Sequence, residues 1–383
     1  MQNRVFQAGG TAFHAFGRVM IIAEIGTGHN GSLQKAKELV DAARESGADA
    51  AKFQIVYADE ILHPDTGFVT LPGGPVRLYD RFRALEVSPD FYAAISEYCR
   101  QKGLIFLASP FGLKSLAELE RLEPAAIKIA SPELNHFPLL RAASRLSRPL
   151  ILSSGVSTLA DIERALDATS STRERVLLHC VTSYPAPEEE YNLAVLESLS
   201  AIFGIPVGVS DHSLDPVLVP LLAVASGAAV IEKHICLSKG DPGLDDPVAL
   251  EPETFARMTR AVRDALSGKA DARGVKSWII ESLSKEYGKA RIESILGSGV
   301  KALAPSERAN YSRTNRSIHF LRDMAPGAAI GEADVALLRT EKVLSPGLSP
   351  EWLGAIVGAR LVRGVTAGAG VTWEDVVSRP APR

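Results

Sequence analysis

The chain has 383 residues, 46% hydrophobic and 23% charged, a composition that buries a large core and excludes general disorder. Its formal net charge of −3 offers nucleic acid or an anionic membrane no long-range attraction, so neither is expected as a partner and any anion site must be local. Cys99, Cys180 and Cys236 form no CxxC pair, which excludes a zinc ribbon or disulfide framework and fits a reducing, cytoplasmic setting; no run resembles a leader or reaches the roughly 18 apolar residues of a membrane span.

Eight short apolar or β-branched runs end in polar residues, each followed by an amphipathic helical stretch. In chain order they are Val19 to Gly26 with Leu33 to Ser46, Ala50 to Val56 with Pro89 to Lys102, Leu104 to Pro110 with Leu113 to Leu122, and Ala126 to Ser131 with Phe137 to Leu146. Then come Pro149 to Gly155 with Leu159 to Ala168, Arg175 to Thr182 with Asn192 to Phe203, Val207 to His212 with Asp215 to Ser226, and Ala229 to Ile235 with Pro252 to Leu266. Ser32, Ser88 and Thr158 are expected N-caps, and Gly47, Gly103 and Gly227 expected helix ends. Apolar strands joined by crossover helices predict a parallel sheet, and eight units predict a closed (β/α)8 TIM barrel over residues 1–268. The turn Gly26-Thr27-Gly28-His29-Asn30-Gly31 lacks the glycine spacing of a dinucleotide-binding open sheet.

Residues 269–314 read as a charged helical linker with flexibility at Gly297-Ser298-Gly299, and residues 315–383 as a small, mainly β domain that needs support from the barrel or another subunit.

Barrel active sites lie at the C-terminal strand ends, so the polar tips should share one mouth. Lys52 and Lys128 within apolar strands require a partner: either a small dianion held also by Ser109, Ser131, Ser153 and Ser210, or internal pairing with Glu24 and Glu232. His212 and His234 end neighbouring strands and suit a divalent cation completed by oxygen ligands, or are simply hydrogen-bonded in the mouth. Glu24 and Glu133 are candidates for proton transfer or water activation. Cys180 reads as a packed small residue, Tyr184 as a substrate wall or turn anchor, and His29 and Asn30 as substrate contacts or turn residues.

Taken in order, Ile22-Ala23-Glu24-Ile25-Gly26, His29-Asn30-Gly31-Ser32, Ala51-Lys52-Phe53-Gln54, Lys128-Ile129-Ala130-Ser131, Ser183-Tyr184-Pro185, Ser210-Asp211-His212 and Glu232-Lys233-His234 resemble the sialic acid synthases and their pseudaminic and legionaminic acid relatives. The C-terminal unit, from Asn315-Arg316-Ser317-Ile318 through Gly358 to Thr372-Trp373, is similar to their antifreeze-like (SAF) domain. The resemblance implies a synthase condensing phosphoenolpyruvate with an N-acyl amino-sugar aldehyde, either N-acetylmannosamine or a 2,4-diacetamido-6-deoxyhexose. It implies that Lys52, Ser109, Lys128, Ser131, Ser153, Thr182 and Ser210 hold phosphoenolpyruvate. His212 and His234 would hold Mn2+, with Mg2+ or Co2+ as alternatives. Gln54, Glu133, Tyr184 and Asp245 would face the sugar, and Arg316 would reach its N-acyl end from the partner of a domain-swapped homodimer. Ser109-Pro110-Phe111-Gly112 departs from the usual pattern but keeps a phosphate-binding hydroxyl, whereas Pro242-Gly243-Leu244-Asp245-Asp246 and the loop Thr70 to Pro75 depart from it in ways that bear on the sugar. A Schiff-base aldolase using Lys128 or Lys233, or a carbohydrate-binding protein without catalysis, are the competing expectations.

Overall fold

The computed structural model describes residues 4–71, 74–241, 243–268, 271–341 and 343–377. The chain opens with a hairpin that the sequence reading did not anticipate, β1 (Val5–Ala8) and β2 (Thr11–His14), turning at Gly9 and Gly10 with φ of +55° and +73°. Two consecutive positive φ values suit the right-handed twist of paired strands and favour glycine. Phe6 and Phe13 lie opposite each other in this hairpin and are fully buried against the floor of the barrel, each contributing about 1.5–3 kcal/mol.

The expected strands follow: β3 (Met20–Gly26), β4 (Ala50–Ile55), an excursion through the antiparallel hairpin β5 (Phe68–Leu71) and β6 (Gly74–Arg77), then β7 (Ile105–Pro110), β8 (Ile127–Ile129), β9 (Leu150–Ser153), β10 (Arg175–Cys180), β11 (Val207–Asp211) and β12 (Ala228–His234). Pro72 and Gly73, part of the unusual loop, lie outside the described residues, as does Pro242. All the strands from β3 to β12 except β5 and β6 pair in parallel, and β12 returns to β3 to close the barrel. The helices fall where the periodicity predicts; Ser32 accepts the Lys35 amide and Thr158 forms a capping box with Asp161, whereas Ser88 makes no side-chain cap.

Alternation within each strand separates three environments. Ile21, Ala23 and Ile25 of β3 face the helices, while Met20 and Ile22 point inward and join Ala50, Leu107, Ala126, Ile151, Val176, Leu178 and Val230 in an apolar layer over the hairpin. Two positions further along the same inward faces stand Glu24, Lys52, Lys128, Ser153, Cys180, Ser210 and Glu232, so the polar tips enter one mouth because of strand parity.

The described part of the segment read as a helical linker, residues 271–314, carries two α-helices. Helices Ala272–Tyr287 and Lys289–Leu296 pack on the barrel through Val275, Ile279, Leu283, Ile292 and Ile295. Around Gly297-Ser298-Gly299, where flexibility is expected, Asn192 accepts the Gly299 amide at 2.8 Å and donates to the Val300 carbonyl at 2.8 Å, while Leu193 and Ala194 bond to Ile295 and Leu296.

The C-terminal domain is built on the antiparallel pair β13 (Arg316–Phe320) and β14 (Val335–Arg339), with Ile318, Phe320, Met324, Ile330, Leu337, Ile356 and Val371 in its core. It leans on its own barrel. Asn135 exchanges two hydrogen bonds with the Arg316 backbone at 2.8 and 3.0 Å, and the Val343 amide donates to the Thr66 carbonyl at 3.1 Å.

Candidate active site at the barrel mouth

A cavity of about 220 Å³ occupies the C-terminal end of the barrel, with Thr314 and Arg339 among its lining residues. Of the residues chosen from sequence, it brings together Glu24, Lys52, Gln54, Lys128, Ser131, Ser153, Thr182, Tyr184, Ser210, His212, His234 and Asp245. Three lie off its wall: Ser109, Glu133 and Arg316.

The floor is a buried charge network. Lys52 Nζ is 2.9 Å from Glu24 and 3.6 Å from Glu232, and Lys128 Nζ is 3.1 Å from Glu232, which also accepts from Ser210 at 3.0 Å. Gln54 donates to Glu24 at 2.8 Å, and Ser109 accepts weakly from Lys52 at 3.4 Å, so Ser109 supports the lysine from behind. Burial pushes the Glu24 carboxyl above its ordinary value, with Glu232 adding to the effect and Lys52 opposing it. Burial would also raise Glu232, but Lys128 and Lys52 outweigh it and hold that carboxyl at about 2. Burial depresses the Lys128 ammonium. The internal pairing considered from sequence is therefore present, and both lysines still line the cavity. Glu232, which sequence reasoning treated as an internal partner and left out of the binding set, is the hub. Its signal was parity, since it stands two residues before His234 on the same inward face.

The hydroxyl side is assembled by the ends of β8, β9 and β10. Ser131 Oγ accepts the Gly155 amide at 3.0 Å, and a Cβ on Gly155 would stand 2.0 Å from Thr182 Oγ1 and 2.9 Å from Ser131 Oγ, so only glycine lets these groups converge. Ser153 Oγ is buried with no hydrogen-bond partner among the described residues, a donor available to a ligand oxygen.

The rings of His212 and His234 are 5.5 Å apart, and Tyr184 lies 4.2 Å from the first and 6.1 Å from the second. His212 Nδ1 faces the Val181 carbonyl at 3.0 Å; a carbonyl only accepts, so the neutral ring keeps its proton there and presents Nε2. Burial would lower the His212 imidazolium, but Cys180 beside it outweighs this and raises it to about 9; a cation at the ring would displace that proton. Burial, reinforced by His212, pushes His234 well below its ordinary value, and Asp245 stands 3.9 Å from its Nδ1. Among the described residues no three His, Cys, Asp or Glu side chains could hold a metal ion together, and the two imidazoles are the nitrogen donors this wall offers to one.

Glu133 and Arg316, expected to face the sugar, bond to each other and do not line the cavity. Arg316 is buried, and its guanidinium is taken up by Glu133 and by the carbonyls of Glu60, Leu337 and Phe111. The other Glu133 oxygen takes Arg339. Burial would raise the Glu133 carboxyl, but the two arginines hold it below its ordinary value. Glu133 is thus a lid anchor, and the lid residue that reaches the cavity is Arg339, which sequence reasoning missed. Lys233, a candidate Schiff-base lysine, is 0% exposed and bound to Asp211 at 2.7 Å, away from the cavity wall.

Comparison with known proteins agrees with this architecture. The NeuB family pattern matches residues 39–273 and the SAF domain pattern residues 315–377. The chain is 35% identical over 369 residues to the spore coat polysaccharide biosynthesis protein SpsE of Bacillus subtilis, covering 95% of each, and the crystal structure of that protein superposes with a TM-score of 0.81 over 98% of this chain and 100% of the other. It is 35% identical over 367 residues to the N,N'-diacetyllegionaminic acid synthase of Legionella pneumophila, covering 93% and 94%. The N-acetylneuraminic acid (sialic acid) synthetase of Leptospira borgpetersenii, solved with citrate, matches at 30% identity and a TM-score of 0.62, covering 74% of this chain and 97% of that one. The chain belongs to the NeuB family and ends in a SAF domain.

Proposed function

We propose that the chain is a nonulosonic acid synthase: it condenses phosphoenolpyruvate with the open-chain aldehyde of an N-acyl amino sugar and releases phosphate. The observation that carries this reading is the convergence of Lys52, Lys128, Ser131, Ser153, Thr182 and Ser210 on one cavity beside two imidazoles, under a lid that adds Arg339. The ammonium and hydroxyl groups hold the phosphate and carboxylate of phosphoenolpyruvate and leave C3 facing the aldehyde. C3 bonds to the aldehyde carbon, whose oxygen takes a proton; water adds at C2, and the tetrahedral intermediate breaks its carbon–oxygen bond to phosphate. Glu24 is the group placed to take the water proton, because burial raises its carboxyl and Gln54 and Lys52 fix its orientation. A divalent cation held by His212 and His234, Mn2+ first and Mg2+ or Co2+ as alternatives, would polarise the aldehyde as a Lewis acid.

Phe82, Leu85, Phe111 and Leu244 give the cavity an apolar wall, which suits the methyl groups of a 2,4-diacetamido-6-deoxyhexose better than the hydroxymethyl end of N-acetylmannosamine. Similarity to a synthase of a diacetylated product supports the same choice. The expected domain-swapped homodimer belongs to this proposal: the lid contacts made here within one chain are those that an exchanged pair would make between chains. No helix of the described residues is long and apolar enough to cross a membrane, and a cytoplasmic location fits three free cysteines.

The deciding experiment is phosphate release from phosphoenolpyruvate with Mn2+ and a panel of amino sugars. Release with a 2,4-diacetamido-6-deoxyhexose well above that with N-acetylmannosamine is expected. The reverse order overturns the sugar choice, and no release with any amino sugar overturns the function.

A further inference from the structure

The segment between barrel and lid passes directly behind the hydroxyl side of the cavity. The short turn Pro305–Glu307 buries Glu307 to 1% exposure between the ends of β9 and β10. Its Oε1 accepts the Val156 amide at 2.7 Å and the Thr182 amide at 2.8 Å, and its Oε2 accepts the Ala304 amide at 3.2 Å. Neighbours on the same segment grip the same turn: Lys301 Nζ donates to the Ser154 carbonyl at 3.2 Å, and Asn315 Nδ2 to the Val156 carbonyl at 3.1 Å.

The turn needs such support. Val156 has φ of +43°, a left-handed conformation that a β-branched side chain disfavours, so it persists only where its surroundings impose it. The residues it orients are Ser153, whose buried hydroxyl lacks a partner among the described residues, and Gly155, whose amide meets Ser131; Thr182, on the other amide held by Glu307, lines the same cavity.

We propose that Glu307 is a positioning residue for the reaction: by accepting the amides of Val156 and Thr182 it locks the β9 and β10 ends in the geometry that grips phosphoenolpyruvate. The proposal rests on the reading of this cavity as the phosphoenolpyruvate site. Glu307 touches no substrate and acts through the backbone. A carboxylate suits the place because every neighbour is a donor, whereas the amide of a glutamine would set its own N–H against that of Ala304.

The test compares full-length wild type, Glu307→Gln and Glu307→Ala by steady-state kinetics and by amide hydrogen exchange of the segments 153–157 and 181–184. For Glu307→Ala the KM for phosphoenolpyruvate rises about tenfold or more, as two buried amides lose their acceptor, while the KM for the amino sugar stays within about twofold. Exchange quickens in both segments but not in the barrel helices, and Glu307→Gln falls between wild type and Glu307→Ala. Unchanged exchange in both segments, or a sugar KM that rises as much as that for phosphoenolpyruvate, overturns the assignment. Exchange requires no turnover and is readable in Glu307→Gln should the alanine variant fail to fold. An inactive wild type would instead refute the proposed function and leave the exchange result to decide Glu307.

Discussion

Arg316 and Arg339 are direct partners in the β13–β14 register, and both guanidiniums close on the one carboxylate of Glu133, a residue of the barrel. Antiparallel pairing sets the two side chains next to each other on one face, so a single buried anion compensates two cations that would otherwise repel. The lid is thereby tied to the barrel by charge at the point where Arg339 enters the cavity.

Removing either arginine breaks half of this buried clasp and leaves one Glu133 oxygen without its donor. Arg316→Ala, which also strands the carbonyls of Leu337 and Phe111, is expected to destabilise the folded chain by about 3–5 kcal/mol in denaturant titrations. Arg339→Ala, at a side chain 10% exposed against 0% for Arg316, should cost less stability but more turnover. Equal stability losses with wild-type turnover in Arg339→Ala would contradict this division.

The same clasp gives the lid an acid sensitivity. Glu133 titrates below its ordinary value of 4.5 when folded, so its contribution is complete above the unfolded-state value and is lost as pH falls through the folded one. Stability from this source should be flat near neutral pH and decline below about pH 4.5. Trp352 and Trp373, 5.2 Å apart in the lid, provide the fluorescence signal. Glu133→Gln should lessen the acid dependence of that signal, and an unchanged acid limb would argue that other carboxylates govern it.

Lys128→Met keeps the length of the side chain but removes its charge from Glu232 and from the cavity. The expected result is a KM for phosphoenolpyruvate higher by about two orders of magnitude, with a smaller change for the sugar. A mutant altered only in sugar use would place the dianion elsewhere.

For the cation, dialysis against a chelator should abolish phosphate release and Mn2+ should restore it, while His212→Ala regains little at the same concentration and keeps wild-type circular dichroism. Full turnover after chelation would remove the metal from the proposal.

Much of the site was legible before any coordinates. Alternation in strands such as Met20–Gly26 and Ala228–His234 states which residues share a face, and parallel strands deliver those faces to one end, so Glu24, Lys52, Lys128, Ser153, Ser210, His212 and His234 were predicted together and are found together. The pairing of Glu133 was not legible, because a carboxylate just beyond a barrel strand looks the same whether it meets substrate or an arginine 183 residues away. Glu307 carried no signal, since nothing periodic links a turn in a connecting segment to the amides of Val156 and Thr182.

The amino-acid sequence by itself determined the barrel, its eight-fold repeat and the chemistry gathered at its mouth, because period and parity are local properties of the chain. The tertiary structure decided which charges neutralise each other, how the lid closes, and which buried residues hold the loops, because those pairings depend on packing between segments far apart in the chain.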